Sequence, residues 1–210
     1  MIAEYQTVEK ALAYLAAADQ ITERVHGERM LLSLLPEKMS RVLDLGTGDG
    51  RLIALIKLAH PDVEAMATDF SPTMLERAAD RFKDDHSVTV IDHDFGDSIS
   101  HLGPFDAIVS SFAIHHVEDD RKQSLLREIF DSLAPGGVFA NLEHVLSPTE
   151  KLHDNFLSAI GQTRESEDKS NRCSPVQVQL EWLREVGFED VECFWKWREL
   201  ALLAGTKPLI

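Results

Sequence analysis

VLDLGTGDG, residues 42–50, is a run of branched apolar residues that gives way to three alternate glycines. Glycine lets a backbone approach a ligand closely, and the start of a following helix presents unpaired N–H groups to an anion. A dinucleotide fingerprint spaces its glycines G-x-G-x-x-G, the third packing helix on strand. Here the order is Asp44-Leu45-Gly46-Thr47-Gly48-Asp49-Gly50, or D-x-G-x-G-x-G. Two acids in so tight a loop would repel a pyrophosphate. They suit a ligand that carries an ammonium or sulfonium.

Outward from this loop the pattern is regular. Short apolar runs at 41–45, 63–69, 88–92, 105–111 and 138–144 alternate with amphipathic segments at 50–60, 71–83 and 119–133. Ser71 followed by Pro72 is an N-cap with proline at the first helical position. Pro135-Gly136-Gly137 reads as a stop and turn before the fifth strand. Such β-α alternation predicts an α/β fold of Rossmann-like, doubly wound type, mostly parallel, with helices on both faces. Ligands of that fold lie beyond the carboxyl ends of the strands. Residues 1–39 read as a helical cap, with an alanine-rich helix at 7–18 and a second from Thr22 to near Leu35. After 144 the rhythm changes to helix at 149–161, polar loop at 163–174 and helix at 175–187. DVECFWKWRELALLAGTK (190–207) then predicts two strands with a tight turn near Trp197 and Arg198, an antiparallel edge. No linker divides the chain, so one domain is expected, with a core from residue 40 to 210.

Composition narrows the function. Thirty-six acids against 21 Lys plus Arg give a net charge of −15, which repels polyphosphate and disfavours tRNA or DNA as substrate. No run approaches the roughly 18 apolar residues of a membrane span. The start, MIAEYQTVEK, lacks the basic and apolar regions of a signal peptide, and a cytoplasmic protein is expected. Cys173 and Cys193 fit no metal or redox spacing and read as reduced, structural thiols. Nothing in the pattern specifies an oligomeric state.

The match extends past the loop. The sequence resembles the class I S-adenosylmethionine-dependent methyltransferases from about Arg41 to Thr206, with the feel of small-molecule enzymes of the quinone-biosynthesis type. VLDLGTGDG resembles their first motif, so Asp44, Gly46 and Gly48 would lie against the methionine part of S-adenosyl-L-methionine. ATDFSPTML (67–75) resembles the second, which implies that Asp69 holds both ribose hydroxyls and that Phe70 and Met74 flank the adenine. A carboxylate can accept both hydrogen bonds. IDHDFGD (91–97) resembles the third-strand motif and assigns Asp94 to the adenine amino group, with Phe95 beside it. FDAIVSSFAIHHV (105–117) resembles the fourth and implies a backbone carbonyl, that of Ser110, at the cofactor's amino group. LAPGGVFANLEHV and LREVGFEDV resemble later segments.

Each residue also has a plainer reading. Asp69 would end a strand and cap the helix at Ser71. Asp92 or Asp97 would replace Asp94 in another register. Met74, at helical spacing with Leu75 and Ala78, would be core, and Asp44 would only cap its loop.

Methyl transfer from a sulfonium chiefly requires an in-line nucleophile about 3 Å from the methyl. A neutral hydroxyl or amine also needs a general base. The candidates follow strands four and five: His115, His116, Glu143 and His144. The resemblance makes His115 the first choice, since the equivalent family position faces the transferring methyl. His116 is equally readable as a helix-start residue. A metal site from these groups lacks an i, i+4 motif or a Cys partner, so none is expected. Acceptor selection falls to parts outside the common sheet. In DQITERVHGER (19–29), Arg24 would pair with the cofactor carboxylate from a lid, or lie on a solvated helix face, the favoured alternative. Trp195 and Trp197 would form an acceptor wall with a basic rim, or pack, as at least one should. The leading function is methyl transfer to a small-molecule acceptor. The alternatives are another reaction of the same cofactor, including on a tRNA base, a non-catalytic S-adenosylmethionine-binding module, or a nicotinamide enzyme, which the glycine spacing disfavours.

Overall fold

The computed structural model describes residues 22–210, so the helix expected at 7–18 lies outside the described residues. Seven strands form one sheet in the order β3-β2-β1-β4-β5-β7-β6. They are β1 (Arg41–Leu45), β2 (Glu64–Asp69), β3 (Val88–Asp92), β4 (Phe105–Ser111), β5 (Leu133–His144), β6 (Glu189–Trp197) and β7 (Leu200–Thr206). β1 to β5 are parallel, while β7 runs antiparallel to both β5 and β6. The chain moves from β1 out to β3 and then returns to β4 on the other side of β1. That reversal opens a crevice at the carboxyl ends of β1 and β4, where doubly wound sheets bind ligands.

Strand alternation sends successive side chains to opposite faces. One face carries Leu43, Leu45, Ile108, Phe139 and Leu203, buried with Leu125, Leu126 and Ile129 of α4 (Asp119–Ser132) and Leu180 and Leu183 of α6 (Val176–Val186). The other carries Val42, Ala67, Ala107, Val109, Ala140 and Leu142, covered by Leu31 of α1 (Thr22–Leu34) and Leu52, Ile53 and Ile56 of α2 (Arg51–Ala59). Several of these are alanines, which lets α1 and α2 sit close to the backbone. Gly27 extends the same logic: a Cβ there would lie 2.6 Å from Leu142 Cδ1 and 3.0 Å from Trp195. The remaining helices are α3 (Pro72–Arg81) and α5 (Glu150–Ala159).

Two readings need correction. β5 does not wait for a turn at Pro135-Gly136-Gly137. It starts at Leu133, which pairs with Phe105, and absorbs the glycines in a register shift with Gly136 at φ 78°. Lys207 and the Gly136-Gly137 pair exchange backbone hydrogen bonds at 2.8 and 2.9 Å, which keeps the irregular stretch in the sheet. Nor is α1 a solvated face at its charged end. Arg24 and Glu28 are buried beside Gly27 and Leu31, and the helix lies across β5, β7 and β6.

Candidate functional site

The crevice is an open cleft, with about 690 Å³ of space that includes bulk solvent at its mouth. Its wall is built at the strand ends. Gly46 and Gly48 come from the loop after β1, Asp69, Phe70 and Met74 from the end of β2 and the start of α3, Asp94 and Phe95 from after β3, and Phe112, Ala113 and His116 from after β4. Gly46 must be glycine. At φ 72°, a Cβ there would stand 2.3 Å from that of Ala113, so the loops after β1 and β4 touch at the floor. A Cβ at Gly48 meets nothing within 4 Å, so its backbone is bare to the cavity. Gly46→Ala should lower stability by about 1–2 kcal/mol for the left-handed backbone and roughly 1–3 more for overpacking. A urea midpoint equal to wild type would disprove the tight approach.

Asp69 links two elements. Its Oδ2 accepts the Gly48 N–H at 2.8 Å and its Oδ1 the Ser71 N–H at 2.9 Å. The capping role is therefore present, and each oxygen keeps a further lone pair for a ligand. Burial pushes its carboxyl up, opposed by the N–H groups of Ser71, Gly48 and Phe70. Asp44 is 1% exposed. Its Oδ2 accepts from the Thr47 hydroxyl at 2.7 Å, while Oδ1 is buried without a partner. Burial and the neighbouring Asp69 together raise this carboxyl to about 7, against the Thr47 bond and Arg24. Asp49, the other loop acid, is neutralised by Arg81 of α3 at 2.6 Å.

The remaining cofactor candidates divide. Met74 is buried yet lines the crevice, and Asp94 lines it with Oδ1 on the Gly96 N–H at 2.8 Å. Asp92 and Asp97 are exposed and outside the wall. Ser110 is also outside it: the residue is fully buried in β4, its hydroxyl donating to the Leu45 carbonyl at 2.7 Å. The strand end that reaches the cavity is two residues further on, at Phe112, which has φ 54°. The sequence carried no signal for that turn.

Beyond the crevice the two histidines separate. They share a 3-10 turn, Ile114–His116, with ring centroids 4.0 Å apart. His116 is the one in the wall, its Nδ1 3.0 Å from Ser170 Oγ, which in turn donates to Asp168 at 2.7 Å. Burial and the neighbouring His115 hold the His116 pKa down to about 3. His115 lies behind it, 5% exposed, with Nδ1 2.5 Å from Glu143 Oε1. Glu143 is 1% exposed and also accepts from the His144 backbone N–H and Asn141 Nδ2. Burial pushes its carboxyl up, but His115, the His144 N–H and Asn141 hold it below the usual range. The polar loop of residues 161–175 straps over this pair: the Arg172 N–H donates to the His115 carbonyl at 2.8 Å, and Lys122 holds Ser174 at 2.7 Å.

Of the acceptor-side candidates, Arg24 is held by Glu28 at 2.9 Å and stacks 5.4 Å from the Phe112 ring. Glu28, which no motif announces, also takes Arg51 at 2.8 and 2.9 Å and so ties α1 to the helix after the glycine loop. Trp195 and Trp197 are half-buried and pack against the cluster of Phe156, Leu157 and Leu200. His144 sits 5.4 Å from the His115 ring and bonds Glu199 at 2.9 Å. Glu199, His153 and Asp168 were invisible in sequence because they reach the site from a turn, a helix and a loop without motif spacing. Cys173 and Cys193 are free and half-buried, and burial raises both thiols. Among the described residues no group of three or more His, Cys, Asp or Glu could hold a metal ion, and no helix is long and apolar enough to cross a membrane.

Residues 42–137 match the family described as "Methyltransferase domain". A carboxy-S-adenosyl-L-methionine synthase of Klebsiella pneumoniae is 26% identical over 85% of this chain and 79% of its own length. An uncharacterized methyltransferase of Mycobacterium bovis is 33% identical over 55% of this chain and 56% of its own. Human N-acetylserotonin methyltransferase, solved in complex with S-adenosylmethionine, superposes with a TM-score of 0.71 at 20% identity over 98% of this chain. This chain spans 58% of that structure's length. Residues 42–137 are therefore a methyltransferase domain, and the chain is an enzyme whose cofactor is S-adenosyl-L-methionine.

Proposed function

We propose that this enzyme transfers the methyl group of S-adenosylmethionine to a hydroxyl of a small-molecule acceptor, with His115 as general base. The observation that carries the reading is the buried His115–Glu143 pair. A carboxylate on Nδ1 fixes the proton there and leaves Nε2, which has no partner among the described residues, as the basic nitrogen. His116, at a pKa of about 3, is too weak a base near neutrality. It would instead fill the wall between cofactor and acceptor.

The crevice suits the cofactor on its own chemistry. Bare backbone at Gly48, remaining lone pairs on Asp69, and an orphaned, buried Asp44 oxygen all favour a ligand with hydroxyls and positive charge. Asp69 would hold the ribose, Asp94 the adenine amino group, and Phe70, Met74 and Phe95 the base; Gly46, Gly48 and Asp44 would take the methionine end. Arg24, gripped by Glu28 on one side, would anchor the cofactor carboxylate with its remaining N–H groups. When bound, the sulfonium supplies an activated methyl; the protein orients the acceptor, excludes water with the strap at 161–175 and removes a proton at His115 Nε2. His144 and the tryptophans would border the acceptor. Transfer of a carboxyl-bearing group is a second reading, prompted by the names of the relatives. It would call for a cation beyond Arg24 beside the transferred carboxylate, and the residues lining the crevice include no Lys or Arg.

Calorimetry tests the cofactor half. S-adenosylmethionine and S-adenosylhomocysteine should bind in the micromolar range, and NAD not measurably. A cation arriving beside a carboxyl lowers its pKa. Asp44, at about 7 in the free protein, should therefore release protons on binding, and affinity should rise as pH increases through about 7. Tight NAD binding without S-adenosylmethionine binding would overturn the reading, and absence of proton release would remove Asp44 from it.

A further inference from the structure

The histidine that ends β5 has a set of partners that the reaction above does not use. His144 Nε2 lies 2.9 Å from Glu199 Oε2 in the β6–β7 turn. Glu199 is 2% exposed, and its other oxygen lies 2.9 Å from His153 Nδ1 on α5. His153 Nε2 in turn lies 3.2 Å from Glu167 Oε1 in the strap. Four segments distant in sequence thus converge on one line of alternating imidazole and carboxylate.

Proton bookkeeping along that line fixes each group. His153 faces a carboxylate at each ring nitrogen, so both nitrogens carry hydrogen. Burial lowers its pKa, but Glu199 and Glu167 hold it above the usual histidine value. Burial likewise raises Glu199, yet bonds from His144, Ser147 and His153 keep it below the usual carboxylate range. An ionised carboxylate only accepts hydrogen bonds, so Nε2 of His144 must be the protonated nitrogen. The other ring nitrogen, Nδ1, has no partner among the described residues. The neighbouring pair is built the other way round. Glu143 takes Nδ1 of His115 and leaves Nε2 bare. Two histidines with rings 5.4 Å apart are thus held by carboxylates at opposite ring nitrogens.

We propose that Glu199 is a positioning residue that holds His144 in its Nε2–H form and so keeps a second bare ring nitrogen on a ring 5.4 Å from that of His115. The proposal rests on the preceding reading only in placing the acceptor near these rings. Its consequence is a chemical class. An acceptor bearing two hydrogen-bond donors, such as a vicinal diphenol, meets two lone pairs. A carboxylate meets the same lone pairs and is repelled. This is the logic by which a second group fixes the tautomer of a working histidine.

The test is nitrogen NMR of the full chain labelled with 15N-histidine, with His144 assigned by the signal lost in His144→Gln. Nδ1 of His144 should resonate as unprotonated and Nε2 as protonated in the wild-type protein. Glu199→Gln, whose amide can present either N–H or C=O, should shift a several-fold share of His144 to the other tautomer. Change at a buried carboxylate also risks the fold, so the wild-type spectrum stands as an independent check: an Nδ1–H tautomer there overturns the proposal without any variant. A folded Glu199→Gln with the wild-type tautomer overturns it too. Catechol added to the S-adenosylhomocysteine complex should perturb both His115 and His144, and benzoate neither. A response to benzoate, or none to catechol, removes the acceptor preference. None of these measurements requires turnover, so failure of the methyl-transfer reading would be seen separately.

Discussion

His115→Ala loses about 10²–10⁴-fold in single-turnover rate, the usual contribution of a positioned base, while binding S-adenosylmethionine nearly as wild type does. The separation follows from position: His115 stands outside the cavity wall, and the residues in that wall come mainly from the ends of β1, β2 and β3. Removing the ring also leaves the buried Glu143 carboxylate without its Nδ1–H donor, at a cost of about 1–3 kcal/mol of stability. His115→Gln keeps a donor for Glu143 and isolates the chemistry. Because Glu143 is held below its unfolded value, the stabilisation it brings is present at neutral pH. It fades only as acid protonates that carboxyl. The rate should also fall with acid, since only a neutral imidazole accepts a proton. An acid limb well above pH 3 excludes His116 as the group responsible. If His115→Gln and His116→Gln both turn over at near wild-type rates, catalysis rests on orientation alone.

Asp69→Ala weakens S-adenosylmethionine binding by about 1.5–3 kcal/mol, roughly 10- to 150-fold. The loss of one charge-assisted bond from the proposed ribose contact accounts for that range. The structure adds a second effect that a strand-end acid alone would not suggest. Asp69 also accepts from Gly48 and Ser71, so its loss frees the N–H groups that fix the glycine loop and the start of α3. About 1–3 kcal/mol of stability should go with it. Asp69→Asn, which keeps one acceptor oxygen, should lie between. Titration calorimetry and urea unfolding on the same samples separate the two effects. Unchanged affinity in a folded Asp69→Ala protein would assign the ribose to another residue.

The parallel half of the sheet was readable because local pattern and tertiary role agree there. β1 has the apolar run, the glycines and the helix start within a dozen residues, and Asp69 ends its strand where such an acid can face a ligand. The hairpin was readable for the same reason, its turn falling at Arg198 with φ 52°. Failures came where long-range partners outvote local pattern. Lys207 keeps Gly136 and Gly137 in β5 although they carry turn chemistry. Arg24 looks solvated by composition, but Glu28 and the Phe112 ring make its burial tolerable. The Glu199–His153 pair depends on a contact 46 residues apart, and no spacing rule encodes that.

The reversal of strand order at β1 and β4 has a consequence for how this enzyme can diverge. Ligand-facing residues from β1, β2 and β3 lie on one bank of the crevice, while the histidines and their glutamates come from β4, β5, the strap and the hairpin turn on the other. The hydrogen bonds of the histidine–glutamate pairs stay on their own bank, so substitutions among them leave those of Asp69 and Asp94 in place. Descent with a constant methyl donor and a changing clientele is therefore open to this scaffold. Variation can accumulate at exposed positions of the strap at 161–175 without unmaking the half that every variant needs.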